Sequence, residues 1–219
     1  EFSITGPGSN ESEPAVDGNT VVFQTYVQGD WDVYGADISN RSEPNVFAIS
    51  ATYYSARYPS ISGDYVVWQD GEDGDTDVFM ADIVDLNYPL EFAVSFVTAD
   101  QMRPVIYRNT VVWQDNYDGD FDIYGSDVFR RESPEEFIIG AYTGQQQRPA
   151  VWGEWVVYED DFSGRWQIYA SDISDKDAIV ERVITDSGHD SRNADIYGNI
   201  IVWQDNRKGN WDIFGYNLV

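Results

Sequence analysis

The chain of 219 residues has no cysteine, two methionines, one histidine and only thirteen lysine and arginine residues. The absence of cysteine excludes disulfides, thiolate catalysis and cysteine-ligated zinc. The few basic side chains are set against 39 acidic ones, which gives a formal net charge of −26 at pH 7. Because such a surface repels phosphate groups, we expect neither nucleic acid nor anionic lipid as a partner. No apolar run approaches the length that spans a bilayer, so we expect no membrane insertion.

The chain instead contains five copies of one unit, with constant spacing and without insertion or deletion. Each copy has an aromatic residue after two β-branched residues; the five aromatics are Phe23, Trp68, Trp113, Tyr158 and Trp203. Alternation and turn residues predict four strands in each copy, with an acidic, glycine-containing hairpin between the second and the third. A period of about 45 residues built from short strands is typical of propeller blades. We therefore predict an all-β fold, a five-bladed β-propeller with four-stranded blades.

The fifth copy stops after its predicted third strand, and the first residues of the chain match the strand that is missing. In register, Phe2-Ser3-Ile4-Thr5 corresponds to Phe92-Ala93-Val94-Ser95. We therefore predict a ring closed by the N-terminal strand, which completes the last blade and removes exposed edges. The alternative is an open fragment of a larger propeller, and the lack of an initiator methionine suits an excised or processed piece.

These boundaries give one predicted domain over residues 1–219. Its repeats lie at about 13–50, 58–95, 103–140, 148–185 and 193–219, and residues 1–5 supply the last strand. A domain of this length, with 42% hydrophobic and 16% aromatic residues, has enough apolar surface for continuous packing between blades.

The hairpins of the second and third copies concentrate carboxylates, which suggests a metal site. The residues concerned are Asp70, Asp73, Asp75 and Asp77, and then Asp115, Asp118, Asp120 and Asp122. Aspartates that alternate around a glycine place hard oxygen ligands near one another, so Ca²⁺ is the cofactor that this pattern suggests; no organic cofactor is indicated. The full EF-hand pattern is absent. The competing interpretation is that the aspartates at the two strand ends cap the hairpin by accepting backbone N–H bonds.

Two further sets of residues are candidate ligand contacts. Aromatic residues recur in the hairpins, at Trp31, Phe121, Trp166 and Trp211, where they either stack on sugar faces or pack on their own blade. Arginines precede the first strand, at Arg57, Arg103, Arg148 and Arg192, and are placed to bind a carboxylate or sulfate. The competing interpretation for the arginines is pairing with the repeated aspartates of the second strand.

Catalysis is the competing class of function, because some five-bladed propellers are glycoside hydrolases. That chemistry needs two carboxylates in one cleft. The inner strands are mostly apolar; Asp195 is the unusual carboxylate there, and Glu13, Asp17 and Glu154 lie near strand ends. His189 lies in a predicted loop, and no serine, histidine and acid grouping is evident. The sequence therefore predicts no catalytic residue.

The repeat from Pro59 to Asp82 resembles the TolB-like propeller repeats of archaeal and bacterial surface proteins. The run that resembles them most is Ile201-Val202-Trp203-Gln204-Asp205-Asn206-Arg207-Lys208-Gly209-Asn210-Trp211-Asp212-Ile213-Phe214. The fourth copy departs from the pattern, with Tyr158-Glu159 and Gln167. The resemblance covers nearly the whole chain and implies an extracellular or cell-surface setting and a role in surface interaction.

From these observations we expect a non-enzymatic binding or scaffolding propeller, stabilised by calcium, that binds a glycan or a protein at its channel face. We expect it to be a monomer or part of a larger surface protein. The alternative function is a glycoside hydrolase or polysaccharide lyase with an active site at the channel mouth.

Overall fold

A computed structural model describes residues 1–219 except 7, 9, 51–53, 72–73, 131–132 and 187. Over the described residues the chain forms strands and no helix, so that none of it is a helix able to cross a membrane. The strands of the first two copies are β1 Asn10–Asp17, β2 Thr20–Val27, β3 Asp30–Asp37, β4 Asn45–Ser50, β5 Arg57–Ser62, β6 Tyr65–Asp70, β7 Asp77–Asp82 and β8 Leu90–Ser95. Those of the third and fourth copies are β9 Gln101–Tyr107, β10 Thr110–Asp115, β11 Asp122–Asp127, β12 Glu135–Gly140, β13 Gln146–Trp152, β14 Trp155–Asp160, β15 Gln167–Asp172 and β16 Val180–Val183. The fifth copy has β17 Ser191–Tyr197, β18 Ile200–Asp205 and β19 Asp212–Asn217.

The strands form five sheets, four of which have four strands and one of which has three. The chain divides into two compact units, residues 1–109 and residues 110–219. The first unit contains the sheets β1–β4 and β5–β8 and also β9, the first strand of the third repeat. The second unit contains β10–β12 and the sheets β13–β16 and β17–β19. Each repeat predicted from the sequence therefore corresponds to one meander of antiparallel strands.

In the first four repeats the core lies on both faces of the second strand, as the continuous apolar pattern predicts, whereas Ile200 and Val202 of β18 are exposed. Val66, Val67 and Trp68 of β6 are fully buried. Val66 and Trp68 belong to an apolar cluster that also contains Val22 and Val33 of the preceding repeat. The β-branched residues suit a strand that is covered on both sides, since their side chains pack well on a pleated surface.

The first strand of every repeat contains a residue in the left-handed backbone conformation. These residues are Glu13, Tyr58, Arg103, Arg148 and Asn193, with φ between 50° and 55°. None of them is glycine, so the conformation is imposed by the surrounding structure. In β1, β5, β13 and β17 the pairing register shifts at this position, which is the mark of a β-bulge.

The N-terminal residues have the packing expected of a fourth strand, although no strand is assigned to residues 1–5. Ile4 packs against Val21, Phe23 and Ala36 of the first repeat. Ile184 occupies the equivalent place beside Ile201 and Trp203 in the fifth repeat. The fifth sheet has three strands. Closure of the ring by residues 1–5 is thus not confirmed and stays a prediction.

Candidate functional site

Trp31 and Arg57 combine two of the predicted sets of ligand contacts in the first unit. The Arg57 guanidinium carbon lies 5.4 Å from the centre of the Trp31 ring. The centre of the Tyr26 ring lies 5.3 Å from the centre of the same ring, and the two rings are tilted by 56°. Arg57 Nε is buried and has no hydrogen-bond partner in the part of the chain that the structure describes. A buried, unsatisfied donor beside an aromatic face is a candidate contact for an anionic ligand.

The same arrangement recurs between the fourth and fifth repeats with a different electrostatic outcome. Arg192 stacks on Trp166, with 4.1 Å between the guanidinium carbon and the ring centre. Its Nε donates a hydrogen bond of 2.6 Å to Glu159 Oε2, and the Glu159 side chain is fully buried. In the first repeat the position of Glu159 is held by Gln24, which is uncharged. The charge of Arg192 is therefore neutralised by the buried carboxylate of Glu159, whereas the uncharged Gln24 does not neutralise the charge of Arg57.

The other two predicted arginines are placed differently. Arg103 stacks on Tyr58 at 4.5 Å, and Arg148 lies 4.0 Å from Glu159. The alternative of pairing with the second-strand aspartates is wrong for Arg148 and Arg192, because their carboxylate partner is Glu159. This glutamate is specific to the fourth repeat, where the other copies have glutamine.

The remaining hairpin aromatics, Phe121 and Trp211, show no arginine stack in the described structure. Phe121 is half-buried, and Trp211 is exposed over 49% of its surface. Trp211 is thus a natural control for the stacked tryptophans.

The acidic hairpins place two carboxylates opposite each other at the strand ends. Asp115 faces Asp122 across β10 and β11, and Asp70 faces Asp77 across β6 and β7. All four are buried. Of the other predicted ligands, Asp75 and Asp120 are half-buried, Asp118 is exposed, and Asp73 lies outside the described residues.

Burial in this position changes the acidity of Asp122. Its pKa is raised to about 6, first by burial and then by the charges of Asp120, Asp118 and Asp115. Asp122 Oδ1 is buried and has no hydrogen-bond partner among the described residues. The hairpin-cap interpretation is confirmed for Asp115, whose Oδ1 accepts a bond of 2.9 Å from the Tyr117 N–H. It does not account for Asp122 Oδ1.

The geometry of these carboxylates does not by itself form a metal site. Within the ranges that the structure describes, no group of three or more acidic or histidine side chains is arranged to hold a metal ion. The calcium site therefore stays a prediction. Its strongest support is the unsatisfied Asp122 Oδ1 beside three other carboxylates.

In the fifth repeat the carboxylate equivalent to Asp115 is Asp205, and a cation neutralises it. Arg207 donates to both carboxylate oxygens of Asp205, from Nε to Oδ1 at 2.9 Å and from an η-nitrogen to Oδ2 at 2.5 Å. These bonds hold the pKa of Asp205 well below its usual range. Because Arg207 already compensates this carboxylate, we expect a bound metal ion to stabilise the fifth hairpin least.

Solved structures share this arrangement of strands. A protein assigned as TolB from Agrobacterium tumefaciens is 16% identical, with a TM-score of 0.62 over 90% of this chain and 70% of that one. TolB from Acinetobacter baumannii is 15% identical, with a TM-score of 0.57 over 90% of this chain and 51% of that one. A puromycin hydrolase is 11% identical, with a TM-score of 0.68 over 99% of this chain and 37% of that one. The chain has a TolB-like β-propeller fold.

The likeness concerns the fold alone, because all these identities are low. This chain spans about half the length of the Acinetobacter TolB and just over a third of the hydrolase. A scan of protein-family models finds no match to the sequence, and a search of curated proteins finds no relative. The function of this TolB-like propeller chain must therefore be argued from its own residues.

The predicted inner-strand carboxylates lie at exposed positions. Asp195 is exposed and accepts a bond of 2.8 Å from the adjacent Ile196 N–H. Glu13 and Glu154 are exposed as well. Asp17 lines an open cleft of about 440 Å³ together with Asp64, but its Oδ2 accepts a bond of 2.6 Å from the Gly63 N–H.

The cleft contains one residue that sequence reasoning missed. Arg108 lines it and has φ of 55° at a turn position where the other propeller repeats have glycine, at Gly18, Gly63, Gly153 and Gly198. Its N–H donates 2.9 Å to Ser62 Oγ. The 45-residue register would have shown this substitution, since an arginine in a glycine position of a tight turn is unusual.

Proposed function

We propose that this chain is a non-enzymatic binding propeller of an extracellular or cell-surface protein, and that it binds an acidic glycan through Trp31 and Arg57. The observation that carries the proposal is the stacked pair with its unsatisfied, buried Nε. An aromatic ring offers a face for a sugar, and a guanidinium offers paired donors to a carboxylate or sulfate. A protein ligand with an acidic side chain is the second possibility from the sequence.

Charge supports an acidic rather than a neutral ligand at this place. The molecule carries a net charge of −26, so a half-buried arginine with an unsatisfied Nε is an exceptional anion-binding group for it. Long-range repulsion lowers the association rate of an anionic ligand, particularly at low salt. We therefore expect binding to Arg57 to be short-ranged, weak per site and stronger at physiological than at low ionic strength.

A glycan array with matched neutral, carboxylated and sulfated oligosaccharides tests the proposal. We expect signals for acidic glycans, and an affinity at least about tenfold lower for Trp31→Ala and for Arg57→Ala, since each removes a main contact. Trp211→Ala is the matched control and should bind like the wild type. Equal binding by all four proteins, or no signal from any acidic glycan, would overturn the proposal.

The alternative function is a glycoside hydrolase or polysaccharide lyase, and one observation favours it. Asp17 and Asp64 line one open cleft with Arg108, Tyr65 and Tyr107. Release of new sugar ends from polysaccharides by the wild type, and its loss in Asp64→Asn, would support this function. An equal rate in Asp64→Asn and the wild type would remove it.

A further inference from the structure

Two asparagines of the chain begin the pattern Asn-X-Ser, which is the acceptor pattern for N-linked glycans. They are Asn10, which is followed by Ser12, and Asn40, which is followed by Ser42. In neither is the middle residue proline, the one residue that is excluded there. A pattern of three residues often occurs by chance, so the surroundings of each asparagine decide whether it is an acceptor.

The pattern at Asn40 lies in the connection between β3 and β4, and all three of its residues are exposed. Ser42 donates two hydrogen bonds to Asn40 Oδ1, from its backbone N–H at 3.2 Å and from its hydroxyl at 2.7 Å. Among the described residues none accepts a hydrogen bond from Asn40 Nδ2. The hydroxyl that the pattern requires therefore lies on the amide oxygen, while the amide nitrogen, to which a glycan is attached, stays available.

The same turn occurs in the second and fourth repeats, where an aspartate makes it. Asp85 Oδ1 accepts the N–H of Asn87 at 3.0 Å, and Asp175 Oδ1 accepts that of Asp177 at 3.1 Å. Aspartate and asparagine both make such turns, because each has a side-chain oxygen that accepts the N–H two residues later. The turn therefore requires neither the amide nitrogen of the first residue nor a hydroxyl on the third, and the first repeat has both.

Asn10 has different surroundings. It lies in β1, where it is paired with Tyr26 of β2, and Ser12 Oγ accepts a hydrogen bond of 3.0 Å from Gln24 Nε2. A strand holds its residues in an extended backbone, which is not the compact turn seen at Asn40. In the folded chain we therefore expect Asn40, and not Asn10, to be accessible to a modifying enzyme.

We propose that Asn40 is the acceptor of an N-linked glycan. The proposal rests on the extracellular or cell-surface setting of the proposed function, because this modification belongs to surface loops of secreted proteins. Asn40 Nδ2 attacks the anomeric carbon of an oligosaccharide carried on a polyprenyl diphosphate, in the active site of an oligosaccharyltransferase. The bond from that carbon to the diphosphate oxygen breaks, and the diphosphate leaves with the electron pair. The new bond joins the anomeric carbon to Nδ2, which gives up one proton to a base of the transferase.

The glycan is separated from the proposed ligand contact at Trp31 and Arg57. Trp31 lies at the start of β3, and Asn40 lies three residues after the end of this strand at Asp37. Six residues of extended strand span roughly 20 Å. We therefore expect ligand binding to be the same with and without the glycan, so that the two proposals can fail independently.

Glycan transfer to the purified chain tests the proposal. The folded chain and a synthetic peptide of residues 36–46 are each incubated with a single-subunit oligosaccharyltransferase that accepts Asn-X-Ser and with a lipid-linked oligosaccharide. By mass spectrometry we expect the chain to gain the mass of one oligosaccharide above 24.9 kDa. Cleavage after acidic residues releases residues 38–43, which separates Asn40 from Asn10. The added mass should be on this fragment.

Variants of the acceptor pattern separate its parts. Asn40→Asp should gain no mass and keep the Tm of the unmodified wild type, because Asp85 and Asp175 make the same turn. Ser42→Ala should also gain no mass, since it removes only the hydroxyl. Ser42→Thr keeps a hydroxyl and should be modified like the wild type.

The equivalent turn of the second repeat allows a gain of modification. Asp85→Asn combined with Asn87→Ser places the acceptor pattern there, and we expect this variant to gain a second oligosaccharide. Asp85→Asn alone is the matched control, since it has the amide and lacks the hydroxyl, and it should gain one.

An unmodified folded chain would overturn the proposal, whether the peptide is modified or not. In the first case the fold does not present Asn40, and in the second the sequence is not an acceptor. Added mass that persists in Asn40→Asp would overturn it as well, since another residue would then be the acceptor. These results come from purified components, so they do not affect the glycan array, which tests the proposed function separately.

Discussion

The hairpins of the third and fifth repeats have the same backbone and opposite electrostatics. In the third, Asp122 faces Asp115 and its pKa is raised to about 6, mainly by burial and then by neighbouring carboxylates. In the fifth, Asp205 faces Asp212, and Arg207 holds the pKa of Asp205 below its usual range. The repeat thus places two facing carboxylates at the ends of each of these hairpins, and in the fifth repeat Arg207, at the position of Tyr117, compensates the first of them.

Removal of Arg207 should produce the largest change in the free energy of unfolding, because it takes away the cation that distinguishes the fifth hairpin. Arg207→Ala leaves the fully buried Asp205 without its cation, and we expect a loss of about 2 kcal/mol in the free energy of unfolding. Lys208→Ala is the neighbouring control; its exposed ion pair of 3.9 Å with Asp212 should contribute less than about 0.5 kcal/mol. Urea denaturation of both variants gives the comparison. Equal losses would show that Arg207 is not the compensating group.

Asp122→Asn should change stability in the opposite direction. The pKa of Asp122 in the folded state lies above its unfolded value, so its contribution to stability is fully present below pH 3.8 and is lost as the pH rises through about 6. At pH 8 we therefore expect the variant to be about 1 to 2 kcal/mol more stable than the wild type. The difference should vanish near pH 4. If Asp122→Asn is no more stable than the wild type at pH 8, the pKa of Asp122 is not raised by its burial.

Calcium should stabilise the third hairpin and not the fifth, by less than the two substitutions above change the free energy of unfolding. If the third hairpin binds Ca²⁺ with a Kd of roughly 0.3 mM, then 1 mM Ca²⁺ adds about 1 kcal/mol, or about 2 to 4 °C in Tm. EDTA should reverse the increase, and Asp122→Asn should abolish it, while Asp205→Asn should leave it intact. A Tm that is the same with Ca²⁺ and with EDTA would rule out the metal site.

Glu159→Gln should have the smallest effect and tests the fourth repeat. Gln24, Gln69 and Gln114 make the same bond between repeats without a charge, so the acceptor for the Asn193 N–H is retained. We expect the free energy of unfolding to change by no more than about 1 kcal/mol. The ion pair with the partly exposed Arg192 is lost, but the cost of burying the Glu159 carboxylate is removed as well. Differential scanning calorimetry measures the difference. A much larger loss would show that the charge of Glu159 is structural.

The strands were predictable because the period of the repeat and the alternation of its residues are both strong signals. The buried second strand with Trp68 and the glycine hairpins follow directly from residue type. The acidic pairs were also predictable in sequence, but the ion pair between Arg207 and Asp205 depends on side-chain geometry in the hairpin. The pairing of Arg192 with Glu159 was missed because the partners lie 33 residues apart and belong to different repeats.

Another regular feature was present in the sequence and was overlooked. An aspartate ends the third strand in four repeats, and its carboxylate accepts the backbone N–H two residues later. The bonds are Asp37 to Ser39 at 2.8 Å, Asp82 to Val84 at 2.9 Å, Asp127 to Phe129 at 2.9 Å and Asp172 to Ser174 at 3.0 Å. Part of the acidic composition therefore ends strands and is not evidence of a ligand.

Neighbouring repeats are joined by a hydrogen bond that a main-chain N–H of the first strand donates to the second-strand glutamine or glutamate of the preceding repeat. Because the donor belongs to the main chain, the bond does not depend on the side chain at the donor position. The donors are Tyr58, Arg103, Arg148 and Asn193, whose side chains differ and whose left-handed backbone conformation is the same. Substitutions there can accumulate while the glutamine on the other side keeps its partner. Since each repeat makes the same bond with its neighbour, a whole repeat can be duplicated or deleted without requiring a new kind of contact. The number of repeats can therefore change in evolution more freely than the structure of a single repeat.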